Sequence, residues 1–251
     1  MRAFFTALGF LTIAPVPRAM MGSNYSMSMA YFPVVGLAIG AALWGIDKGM
    51  EGRLPDAVIA ALLVAALMIM TRGLHTEGFM DTCDGLLGGH TRERRLEIMR
   101  DPHVGAFAVM GVVVLLLVKW SVLMSLDGPS RGWTLLLFPA MGKWAMVMSV
   151  TAFPYARSEG LGRAFQEGPK ATPLVIAGIS ILAAALLLGG VGGMILLSLA
   201  TGVSVLLGRV MASMLGGLTG DTYGAINESS EAAVLVMVAG LASTELSQPF
   251  F

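Results

Sequence analysis

Long apolar runs set the first limit on what this chain can become. About seven stretches approach the roughly 20 residues that carry a helix across a bilayer: Tyr31–Ile46, Asp56–Arg72, Ala106–Leu126, Trp133–Phe153, Thr172–Leu188, Met194–Leu215 and Ala232–Ser247. Between the fifth and sixth, Gly189-Gly-Val-Gly-Gly193 leaves room only for a tight turn. Charged residues make up 13% of the chain, against about 25% in a soluble domain, so a polar surface cannot cover these runs. The expected fold is an all-α, polytopic integral membrane bundle over residues 1–251, a single transmembrane domain. A short membrane-associated helix from Met1 to Pro15 precedes the spans and lacks a cleavage pattern.

Basic residues orient the bundle. Arg2 and Arg18 precede the first span, and Arg72, Arg92, Arg94, Arg95 and Arg100 lie between the second and third. Arg157, Arg163 and Lys170 follow the fourth, whereas the other side carries only Lys48, Arg53 and Arg131. The positive-inside rule then places the amino terminus and loops 72–105, 154–171 and 216–231 in the cytoplasm. Net charge is zero, so nothing points to a nucleic-acid partner. Cys83 is the single cysteine and cannot form an intrachain disulfide. Glycine-rich spans permit close self-association, so a homo-oligomer is compatible with the sequence.

The most informative polar stretch follows the second run. In His75-Thr-Glu-Gly-Phe-Met-Asp-Thr-Cys-Asp-Gly85, the acids Glu77, Asp81 and Asp84 stand at i, i+4 and i+7. At about 100° per residue, a helix would gather them within roughly 60° on one face. Acids beside a lipid-soluble segment are costly and are retained for ions, protons or substrate. Such a face suits Mg²⁺, which takes a few carboxylates and completes its shell with water and phosphate. A second acidic segment, Gly220 to Glu231, contains Asp221, Asn227, Glu228 and Glu231 without a basic residue of its own. The topology brings both segments to one membrane surface, where a two-metal or metal-plus-base site is possible. These features point to a membrane-embedded enzyme acting on a phosphorylated substrate.

The intervening loop offers phosphate donors. Gly88 and Gly89 would let backbone N–H groups approach an anion, and Arg92, Arg94, Arg95 and Arg100 carry forked donors. Arginines on a cytoplasmic loop are equally expected from topology alone. Arg157 stands near two further glycines. Lys119 and Lys143 fall inside spans, where a structural ion pair and a substrate role are both open. His75 sits off the acid face, suited either to a helix-end hydrogen bond or to a base. No histidine pair has zinc spacing.

Taken in order, these segments resemble the cobalamin synthase family, adenosylcobinamide-GDP ribazoletransferase. The resemblance rests on Arg72-Gly-Leu-His75, Glu77-Gly-x-x-Asp81-x-x-Asp84-Gly85, Arg94-Arg-Leu-Glu-Ile-Met-Arg-Asp101, Val104-Gly105, Phe153-Pro-Tyr-Ala-Arg157 and Gly220-Asp-Thr-Tyr-Gly-Ala-x-Asn-Glu-x-x-Glu231. It implies a multi-pass inner-membrane protein, dependent on Mg²⁺, with its active site facing the cytoplasm. Adenosylcobinamide-GDP would be joined to α-ribazole or its 5′-phosphate, giving adenosylcobalamin or its 5′-phosphate and GMP. Soluble enzymes of cobalamin assembly are candidate partners.

On this reading Asp81 and Asp84, with Glu77 as a closer or outer partner, hold Mg²⁺. Asp221 and Glu228, with Glu231, hold a second ion or accept a proton. Asp84, Asp221, Glu228 and His75 are the candidate catalytic residues. Arg94, Arg95, Arg100, Arg157, Gly88, Gly89 and Asn227 are the candidate substrate contacts. Three positions depart from the family pattern: Glu77 stands where aspartate is expected, and His103 and Lys143 where arginine is common. The competing readings are a membrane phosphotransferase of the cytidine-diphosphate-alcohol type and a cation-coupled transporter. The first lacks its Asp-Gly-x-x-Ala-Arg opening here, and the second predicts acids spread near the midplane rather than gathered at one surface.

Overall fold

The computed structural model describes residues 1–126 and 128–241. In chain order the helices are α1 (Arg2–Leu11), α2 (Tyr25–Ser28), α3 (Phe32–Met50), α4 (Asp56–Met70), α5 (Leu74–Gly88), α6 (Arg92–Ile98), α7 (Ala106–Ser125), α8 (Gly128–Ala152), α9 (Leu161–Gln166), α10 (Ala171–Leu215) and α11 (Gly220–Leu241). Among the described residues the one non-helical pairing is an isolated bridge between Tyr155 and Leu218. The all-α bundle expected from the apolar runs is what forms. Residues 242–247 of the last expected span lie outside the described residues.

Among the described residues, four helical segments are long and apolar enough to cross a membrane: Tyr25–Met50, α7, α8 and α10. Within α10, Gly190 takes φ 51° and ψ −133°, outside the helical region. A Cβ on Gly193 would collide with the Ala185 carbonyl, although an unbroken helix would hold these residues about 12 Å apart. The chain therefore doubles back at Gly190, as the glycine run predicts. Trp144 of α8 touches both arms, donating to Thr201 at 2.9 Å and lying against Gly178.

The second run departs from a simple span. α4 and α5 are bent by 91°, so the acidic helix turns away from the run that precedes it. The bend sits at Arg72 and Gly73, with φ of 55° and 65°. The left-handed conformation is uncommon for a non-glycine residue. The Arg72 guanidinium anchors it by donating to the carbonyls of Gly9 and Phe10 at the end of α1, at 3.1 and 3.3 Å.

Small residues set the contact between α3 and α8. A Cβ at Gly36 would stand 2.5 Å from Ala140 Cα, and one at Gly40 would stand 2.5 Å from the Leu135 carbonyl oxygen. The Gly-x-x-x-Gly spacing on α3 thus lets its backbone lie directly on α8. Pro139 deprives the Leu135 carbonyl of its helical donor, which leaves α8 locally open at that contact. At one end of the bundle, Arg131 ties α8 to Asp47 and Asp56, each at 2.8 Å. At the other, Arg92 donates to the Leu215 carbonyl at 2.7 Å, and Ala156 N–H to that of Leu218 at 2.7 Å. Segments 72–105, 154–171 and 216–231 meet at this second end.

Candidate active site

The approach of α5 to α11 is governed by two glycines. A Cβ on Gly78 would be 2.8 Å from the Asp221 carbonyl, and one on Gly224 would be 2.9 Å from that of His75. With no side chain at either position, the helices come close enough for acids from distant segments to share one space. That space is a cavity of about 260 Å³. Glu77, Asp81 and His75 reach it from α5, Asp221 and Tyr223 from α11, and Tyr155 and Arg157 from the loop between α8 and α9. Phe10, Phe32 and Phe165 close its apolar side.

The acids are unequally neutralised. Arg157 meets Asp221 at 2.8 Å, and the Thr219 hydroxyl donates to the same carboxylate at 3.4 Å. Asp81 has no such partner, and the carboxylates of Glu77 and Asp221 share its cavity. His75 is 1% exposed, and neither ring nitrogen has a hydrogen-bond partner. An unpaired buried polar group costs about 1–3 kcal/mol, so this is an expensive side chain to leave without a ligand.

The acids expected on a metal are divided between the cavity and the packing around it. Among the described residues no three His, Cys, Asp or Glu side chains stand together as a ready metal cage. Glu77, Asp81 and Asp221 nevertheless present hard oxygen donors to one cavity. Their chemistry fits Mg²⁺, which is commonly held by one or two carboxylates together with substrate phosphates.

Several candidates fall outside the cavity. Asp84, expected as a metal ligand, instead accepts from Gly105 N–H at 2.7 Å and Ala108 N–H at 2.8 Å, capping α7 with both oxygens. Glu228 and Glu231, also expected on metal, pair with Lys119 at 2.5 and 2.6 Å. Lys143 completes this buried group, donating to Asn227 at 2.8 Å and meeting Glu231 at 3.3 Å. Both lysines therefore form the structural ion pairs, and Asn227 joins them rather than lining the cavity.

Among the arginines, only Arg157 lines the cavity. Arg100 borders an open groove on the far side of Arg157, with Glu93, Glu97 and Ser158. Arg94 forms an exposed pair with Glu97 at 2.8 Å. Arg95 donates to the carbonyls of Gly89 and Met214 at 3.0 and 3.3 Å, holding α6 to the end of α10. A Cβ on Gly89 would meet the Arg95 backbone at 2.9 Å, so that glycine serves helix contact rather than an anion. Gly88 has space beside it and does not line the cavity. His103 contacts only Asp101, at 2.6 Å on the surface.

The aromatic wall went unread in the sequence. Phe10 and Phe165 stand 4.9 Å apart, Phe32 and Phe165 5.7 Å, and Tyr155 stacks on Tyr223 at 6.4 Å. A signal was available for the tyrosines, since each lies in a motif noticed for its charged neighbours. Nothing local marks Phe10, which the amino-terminal helix delivers.

A family model described as cobalamin-5-phosphate synthase matches residues 3–239. An adenosylcobinamide-GDP ribazoletransferase of Roseiflexus sp. (strain RS-1) is 42% identical over 97% of this chain and 89% of its own length. Proteins of the same name from Desulfitobacterium hafniense (strain Y51) and Pseudomonas fluorescens (strain Pf-5) are 39% and 40% identical, over 94% and 95% of this chain and 96% and 99% of theirs. No solved structure matches the chain. With a glycine-mediated helix contact gathering its acids and a match along nearly its whole length, the chain belongs to the cobalamin-5-phosphate synthase family.

Proposed function

We propose that this chain joins adenosylcobinamide-GDP to α-ribazole or its 5′-phosphate at the cavity between α5 and α11, releasing GMP. The observation that carries the site assignment is the convergence of Glu77, Asp81 and Asp221 with Arg157 around one partly open cavity. A ribose hydroxyl forms a new bond to the phosphorus bearing the cobinamide arm, and the bond from that phosphorus to the bridging oxygen of GMP breaks. The hydroxyl proton passes to a cavity carboxylate. Arg157 presents a forked donor to the diphosphate while holding Asp221 in place. Glu77, Asp81 and Asp221 are the residues that would hold Mg²⁺. When bound, the ion offsets the charge of the diphosphate and the leaving group.

The arginine-rich loops share the end of the bundle where this cavity lies, which supports an active site facing the cytoplasm from the inner membrane. GMP release from purified protein given both substrates tests the assignment. Asp81→Asn and Asp221→Asn should each lower turnover by on the order of 100-fold and raise the Mg²⁺ needed for half-maximal rate. Turnover near the parent level in both variants would remove the acids from the mechanism.

A further inference from the structure

Arg157 lines a second recess, and that recess has a chemistry of its own. An open groove of about 360 Å³ shares Arg157 with the acidic cavity, and its size falls within the about 300–1,000 Å³ of pockets that hold one small molecule. Glu93, Leu96 and Glu97 stand at i, i+3 and i+4 on one face of α6, with Arg100 just past its end. That face is turned to the groove because the opposite one is tied down, by Arg92 and Arg95 donating to the carbonyls of Leu215 and Met214. Ala156, Arg157 and Ser158 form the other wall.

Among the described residues, neither Glu93 nor Arg100 has a side-chain hydrogen bond or ion pair, whereas Glu97 is held by Arg94 at 2.8 Å. The groove thus presents one unpaired carboxylate and one unpaired guanidinium, together with apolar surface from Leu96 and Ala156. A matching ligand carries an anion for Arg100 and Arg157 and N–H donors for Glu93. An anionic lipid headgroup would be repelled by the two glutamates. The base of ribazole, a dimethylated benzimidazole joined to ribose through one ring nitrogen, has no N–H to donate. Guanine has two donors side by side, N1–H and the 2-amino group, which one carboxylate accepts in parallel. Adenine places an acceptor at N1, and a carboxylate can only repel it.

Resting on the transferase reading above, we infer that this groove is the guanosine subsite for the nucleotide end of the substrate, where Glu93 accepts from guanine N1–H and the 2-amino group while Arg100 and Arg157 hold the phosphates. Because Arg157 belongs to both recesses, a diphosphate on it joins a base in the groove to a phosphorus beside the acids. Glu93 is thereby the residue that selects guanine.

The test measures binding of GMP, inosine monophosphate and AMP to full-length protein in detergent. The inosine nucleotide lacks the 2-amino group, and AMP lacks the N1–H as well. Wild-type protein should bind GMP about tenfold more tightly than AMP, with the inosine nucleotide between them. Glu93→Gln, a change at an exposed side chain, should bring the three within about twofold, because glutamine adds a donor that adenine N1 can accept. It should also raise the KM for adenosylcobinamide-GDP while leaving the KM for ribazole unchanged. Arg100→Gln should weaken all three nucleotides alike, since the phosphate is common to them. Equal binding of the three by wild-type protein, or a preference for GMP that survives Glu93→Gln, overturns the inference. Displacement of GMP by ribazole 5′-phosphate as readily as by GMP itself overturns it too, because the groove would then read no base. Asp81→Asn separates this inference from the transferase reading, since turnover should fall while the preference for GMP persists. A preference for GMP in wild-type protein that never releases GMP from the two substrates would sink the transferase reading alone.

Discussion

Arg157 meets Asp221 at 2.8 Å in the wall between the acidic cavity and the open groove beside Arg100. A side chain in that position touches an acid on one side and lines the groove on the other. The guanidinium can serve both at once because its donors are held in a fixed fork, whereas an ammonium is a single point charge. Arg157→Lys should therefore fold normally yet lose about 100-fold in kcat/KM. Steady-state GMP release checks this, and a loss below tenfold would show that charge alone suffices.

Asp84 invites the opposite expectation from its neighbour Asp81. Both of its oxygens accept N–H groups at the start of α7, from Gly105 and Ala108. Asp84→Asn keeps only one acceptor oxygen and should lower stability by about 1–2 kcal/mol. Turnover per folded molecule should remain close to the parent's. Thermal unfolding and activity measured on the same preparation distinguish the cap from a metal ligand. Loss of turnover with unchanged stability would return Asp84 to the metal site.

That contrast shows where the sequence was legible. The i, i+4, i+7 spacing correctly put three acids on one helix, and the glycine run correctly marked the turn within α10. Neither pattern contains what separates Asp81 from Asp84, because the cap on Asp84 comes from the next helix. Glu228 and Glu231 looked unpaired because their own segment has no base. Their partner Lys119 lies 109 and 112 positions away. Gly73 signalled a break before α5, but the right angle depends also on Arg72 finding carbonyls on α1. Local spacing revealed helices and faces, whereas the occupants of each face were decided by packing.

The lysine pairs give a stability prediction. Lys119 is 2% exposed and is held by two carboxylates. Removing one member of a buried ion group leaves the others uncompensated, at roughly 3–5 kcal/mol. Lys119→Met should destabilise the protein by that order, and adding Glu228→Gln should recover part of the loss. Unfolding in detergent of the two single variants and the double variant measures the coupling. Strict additivity would mean that the pair contributes nothing as a pair.

Gly36 and Gly45 lie on the same helix but in opposite circumstances. A Cβ at Gly36 would press on the Ala140 backbone, whereas one at Gly45 would meet nothing within 4 Å. Backbone cannot move aside as a flexible side chain can, so Gly36→Ala must push α3 away from α8. A loss of about 1–3 kcal/mol is expected, the usual result of overpacking. Gly45→Ala should be neutral or stabilising by up to about 1 kcal/mol, since alanine favours the helix and has space. The thermal midpoints of the two variants should thus move in different directions. Equal shifts would mean that α3 and α8 are not in backbone contact at Gly36.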